Sequence, residues 1–127
     1  MTDAHTTVAE LRQLVGQFVS ERNWEQFHTP KNLSMSLAIE AAELMEHFQW
    51  LTPEQSREVG GDEARRGAAG EELADVICYA LALANELGLD VAAAMQAKMH
   101  KNALKYPVAE YRGRYGQGDA RPVDRAD

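Results

Sequence analysis

Between residues 68 and 87 the sequence reads AAGEELADVICYALALANEL, and Leu73, Val76, Ile77, Ala80, Leu81 and Ala84 recur in it at helical spacing. Apolar side chains at that period form one face of a helix, and Gly88 supplies the stop. Nowhere does the chain alternate apolar and polar residues long enough to make a strand. Three further segments keep the helical period. One runs over about 7–23, where Thr7 and Glu10 form a capping box ahead of Val8, Leu11, Leu14, Val15, Phe18 and Val19. The next covers 32–50, after Pro30 disfavours helix at Thr29. The last covers 90–106, capped by Asp90 and closed by Pro107. Thr52 and Pro53 start a short extra turn, and the polar stretch 54–70 reads as a connection. These segments predict an all-α fold of the four-helix-bundle type.

A chain of 127 residues is the size of one domain. Its helices predict a single domain over 1–110, and the Gly-rich, charged stretch 111–127 reads as a flexible C-terminal tail. The net charge of −7 disfavours nonspecific binding to nucleic acid or to an anionic membrane, both of which reward a basic surface. That charge is uneven: residues 1–97 sum to −10 and 98–127 to +3. The sole cysteine, Cys78, forms no internal disulfide and reads as a packed thiol within ADVICYALALA. With no secretory signal and no apolar run of about 18 residues, the sequence predicts a cytoplasmic protein.

The chemistry is concentrated in carboxylates. Glu40 and Glu43 lie three residues apart in LAIEAAELMEHFQW, so they share a helix face, and Glu40 takes a slot in the apolar row Leu33, Leu37, Glu40, Leu44. Glu72 and Asp75 repeat the spacing on the next long helix, with Tyr79 continuing the stripe. Two such helices facing each other gather four carboxylates, which repel unless protons or a multivalent cation neutralise them. Oxygen-rich surroundings suit Mg2+, with Mn2+ as a substitute. A di-iron bundle would need a second E-x-x-H besides Glu25–His28. Zinc would need a closer set of ligands than Cys78, His5, His28, His47 and His100. Glu46 and Glu71 read as surface residues.

The ordered set RNWEQFHTPKNL, the first carboxylate pair, FQW, EELADVICYALALA and KMHKNALKYP resembles the all-α nucleoside triphosphate pyrophosphatases of the MazG-like superfamily, and within it the dCTP pyrophosphatase branch. The resemblance spans about residues 8–107. It implies hydrolysis of a (deoxy)nucleoside triphosphate, dCTP or a modified dCTP, to monophosphate and pyrophosphate with Mg2+. It also implies that Glu40, Glu43, Glu72 and Asp75 are both metal ligands and catalytic residues; which glutamate acts as base is not fixed by the sequence, and Glu43 is the one we name. By the same resemblance Trp24, Glu25, Gln26, Phe27, His28, Trp50 and Tyr79 bind base and sugar, Lys98 and Asn102 lie near the phosphates, and the chain assembles as a homodimer or homotetramer.

Two departures stand out. The dCTP-specific members carry a histidine where this chain has Val15, and their KMDIN is KMHKN here, with His100 replacing an acid. The same reaction on dUTP or another noncanonical nucleotide is therefore one alternative, and a non-catalytic helical interaction module is the other.

Overall fold

Thr7 opens α1 (Val8–Glu21) with a complete capping box: its hydroxyl accepts from the Glu10 amide, and the Glu10 carboxylate accepts from the Thr7 amide. The computed structural model describes residues 1–116 and 118–125, and among these every regular element is helical. α2 (Pro30–Glu46) starts two residues before its predicted boundary, because Thr29 serves as the cap and Pro30 takes the first helical position. Thr52 and Gln55 form a second capping box at α3 (Pro53–Glu58).

α4 (Glu63–Leu87) is longer than its pattern implied. Asp62 caps it at the Arg65 amide, and the helix runs through Gly67 and Gly70 in a stretch the sequence marks as a connection. α5 (Val91–Lys105) follows its Asp90 cap, and a short α6 covers Val108–Tyr111.

The chain divides into two compact units, Met1–Leu89 and Asp90–Asp127. Within the first unit α2 packs along α4, and α1 packs on α4 less extensively. Arg12 and Asn85 tie α1 to α4 reciprocally: Arg12 Nε donates to Asn85 Oδ1 at 2.8 Å, and Asn85 Nδ2 donates to the Arg12 carbonyl at 3.0 Å. Leu33, Val19, Val59, Ala69, Leu81, Ala82 and Ala84 form the core. Here the sequence pattern and the structure differ: Leu73 and Ile77, expected inside, are about half exposed, as are Met35 and Ile39 on α2. With α2, α1 and the short turn Val59–Gly61 packed on it within this unit, α4 still leaves part of its apolar circumference uncovered.

In the second unit Gly113 adopts φ 75°, and a side chain there would collide with the Asp124 carboxylate, so only glycine fits. Asp119 is buried and accepts from the Tyr115 amide, the Arg121 amide and the Arg121 guanidinium. Those bonds hold its carboxyl far below the usual aspartate range, the Arg121 side chain contributing most. No single helix among the described residues is long and apolar enough to cross a membrane.

Candidate active site

The carboxylates stand on the most tightly packed helix pair of the first unit. Glu40, Glu43 and Glu72 each offer an oxygen, and the three oxygens lie within 4.8 Å of one another. Desolvation acts first on Glu40, then a hydrogen bond shared with Glu43, then the charges of Glu43, Asp75 and Glu72; all push its carboxyl above the usual range. Glu40 and Glu72 are half-buried, whereas Glu43 and Asp75 are exposed. The cluster is therefore open to solvent, and Glu40 does not occupy the core slot that its apolar row implied. His47, at the end of α2, brings its Nε2 to 3.9 Å from Glu72 Oε1.

Asp75 also faces the second feature, a cavity of about 560 Å³ between α1 and α4. One wall is apolar, from Leu14, Val15, Phe18 and Val19 of α1; the other is Asp75, Cys78, Tyr79 and Ala82 of α4. Trp24 and His28 complete the lining. The chain reverses after α1 through Asn23 at φ 51°, and the Trp24 amide donates back to the Val19 carbonyl. This turn delivers the Trp24 indole, which meets Phe18 edge-on at 5.8 Å and His28 at 6.3 Å.

Of the predicted binding residues, the structure thus brings Trp24, His28 and Tyr79 to the cavity with Asp75. Glu25, Gln26 and Phe27 are exposed on the same turn and do not line it, and Trp50 is 86% exposed, away from it. Lys98 and Asn102 stand on α5 in the second unit, Lys98 exposed and Asn102 half-buried.

Of the α1 wall the sequence marked only Val15, through the histidine that dCTP-specific members carry there; Leu14, Phe18 and Val19 read as ordinary core. It also cast Cys78 as a packed thiol, whereas the residue is exposed and faces the cavity. Desolvation first, and the Asp75 carboxylate second, push that thiol above its ordinary value, which keeps it protonated rather than nucleophilic.

The profile described as the MazG-like family matches residues 35–117. The chain belongs to the MazG-like family. Relatives within reach of this MazG-like chain include dCTP pyrophosphatase 1 of Bos taurus, 40% identical over 107 residues, and of Homo sapiens, 42% identical over 101 residues. These alignments cover 84% and 80% of this chain but 63% and 59% of the relatives, so it spans about three fifths of the length of the curated proteins it matches. Among solved structures, a pyrophosphatase from Archaeoglobus fulgidus superposes with a TM-score of 0.74 at 40% identity. That match covers 84% of this chain and 98% of the archaeal one.

Proposed function

We propose that this MazG-like protein hydrolyses a nucleoside triphosphate, with dCTP or a modified dCTP preferred, to the monophosphate and pyrophosphate. The observation that carries this reading is the position of Asp75, whose charge acts on Glu40 of the carboxylate cluster and whose side chain lines the wall of the aromatic cavity. Similarity to proteins named dCTP pyrophosphatase 1 and to an archaeal pyrophosphatase supports the same reaction.

Three carboxylate oxygens gathered within 4.8 Å, with the Glu40 carboxyl raised above its usual range by burial and its acidic neighbours, form a donor set that fits a hard divalent cation such as Mg2+ or Mn2+. Glu40, Glu43, Glu72 and Asp75 would hold it. When bound, it supplies charge neutralisation and Lewis acidity to the phosphate oxygens.

The chain's own residues do the rest. Trp24 stacks on the base while Leu14, Val15 and Phe18 exclude water from its far side. Tyr79 and Asp75 then orient the sugar so that the α-phosphorus lies at the cluster. Water attacks that phosphorus in line, its oxygen bonding to phosphorus as the bond to the bridging oxygen of pyrophosphate breaks. Glu43, an exposed member of the cluster, accepts the proton of the attacking water and returns it to solvent.

The half-exposed Met35, Ile39, Leu73 and Ile77 support assembly as a homodimer or homotetramer, which would cover them.

The test is pyrophosphate release from a panel of dNTPs and NTPs with Mg2+. The natural protein is expected to act on dCTP or a close relative. Asp75→Asn should lower kcat by about 10²–10³-fold, the scale of removing one charge-stabilising group from an active site. Trp24→Ala should raise KM roughly 5- to 150-fold, the equivalent of about 1–3 kcal/mol of base stacking. A natural protein that cleaves no triphosphate with Mg2+ or Mn2+ at any pH overturns the reading.

A further inference from the structure

Along α4, Arg65, Glu72 and Tyr79 are spaced seven residues apart, so they stand on one stripe, successive members about 10 Å apart along the axis. Tyr79 borders the 560 Å³ cavity, and Glu72 belongs to the carboxylate cluster. Arg65, at the far end, borders a second cavity of about 220 Å³ with His47, Val59, Ala64 and Ala68.

We propose that this second cavity receives the β- and γ-phosphates of the substrate and holds pyrophosphate until it leaves. The inference rests on the pyrophosphatase reading above. It assigns the terminal phosphates to residues of the first unit, at the end of the stripe opposite the base.

Three observations carry it. First, the cavity is smaller than sites for drug-sized ligands, with room for a few waters or one small inorganic anion. Second, its polar lining is basic. Among the described residues Arg65 enters no ion pair, although neighbouring Arg66 is engaged with the Gly60 carbonyl at 3.2 Å. A guanidinium with free donors matches phosphate oxygens geometrically.

Third, His47 joins the two regions. It lines the small cavity while its Nε2 lies 3.9 Å from Glu72 Oε1, so an anion there lies beside the carboxylate cluster. A triphosphate laid along α4 would then meet aromatic, acidic and basic surroundings in the order of its own base, α-phosphate and terminal phosphates. Charge balance favours this direction, since the carboxylates alone would repel the terminal phosphates and Arg65 offsets that repulsion.

The test compares the full natural chain with Arg65→Gln, His47→Gln and the double variant. Two quantities are measured: inhibition of triphosphate hydrolysis by pyrophosphate and by monophosphate, and calorimetric binding of inorganic pyrophosphate with and without Mg2+. Arg65→Gln should weaken both pyrophosphate inhibition and pyrophosphate binding by about tenfold or more, as expected for losing a charge-assisted hydrogen bond. Monophosphate inhibition should stay within about twofold, and Arg65→Lys should recover part of the loss.

Arg65 is exposed, so its replacement leaves the core intact, and thermal melting of each variant checks this. A protein that hydrolyses triphosphates but binds pyrophosphate equally well without Arg65 and His47 keeps the reading and overturns the subsite. One that binds pyrophosphate through Arg65 but hydrolyses no triphosphate does the reverse, and one that does neither overturns both.

Discussion

Glu40→Gln should have opposite effects on stability with and without a divalent cation. In a chelator at neutral pH, the ionised Glu40 faces two carboxylate oxygens within 4.8 Å. At that distance one like-charge pair costs roughly 1 kcal/mol in water and roughly 3 kcal/mol at the effective dielectric of a protein surface. Glu40 is half-buried and Glu43 exposed, so a net relief of about 1–3 kcal/mol is expected from the neutral amide. For a domain of this size that corresponds to a rise in Tm of about 3–12 °C.

The sign follows from linkage. Because the carboxyl of Glu40 is raised above its ordinary value of 4.5, its favourable contribution is complete below that pH and is lost as pH rises through the folded-state value. The advantage of the variant should therefore vanish near pH 4 and grow towards neutrality. Saturating Mg2+ reverses the order. The natural protein gains about 2.7 kcal/mol at a hundred times the dissociation constant, and the variant gains far less. Differential scanning fluorimetry with EDTA and with MgCl2, across pH 4–8, reads all of this. A natural protein indifferent to Mg2+, or a variant less stable than it in EDTA at neutral pH, refutes the reasoning.

Leu33→Ala should destabilise the first unit by about 2–5 kcal/mol, measured by urea denaturation, because Leu33 is 2% exposed and its removal leaves a cavity in the α2–α4 seam. Asp119 acts with the opposite sign to Glu40. Its lowered carboxyl contributes stability above its ordinary value of 3.8 that is lost as pH falls, so the protection of the Tyr115 and Arg121 amides, measured against their intrinsic exchange rates, should fall in acid, and at neutral pH in Asp119→Asn.

Three helix starts were legible because each is written in one or two side chains: Thr7, Thr52 and Asp90 cap where their sequence context predicts, whereas Thr29 caps α2 two residues ahead of the expected start. The start of α4 was hidden, since the polar stretch 54–70 reads as a connection and carries no apolar stripe, although Asp62 caps the helix there. Periodicity located the apolar stripe of α4 but not its partner, which left Leu73 and Ile77 misassigned to the core. The spacing of Glu40 with Glu43 and of Glu72 with Asp75 was visible, because a three-residue interval fixes a common face on any helix. The α1 wall was not, apart from Val15, since Leu14 and Phe18 have the same pattern whether they face a core or a cavity. His47 was equally hidden: nothing local ties it to Glu72, and only the packing of α2 on α4 brings them together.

The reversal at Asn23 bears on the kinetics of ligand capture. The amides of Asn23 and Trp24 are already bonded to the Ser20 and Val19 carbonyls, so the indole is aimed by the main chain before any nucleotide arrives. A wall set in advance charges little ordering entropy at encounter. Replacements around the cavity should accordingly leave the association rate almost constant and appear as shorter residence times.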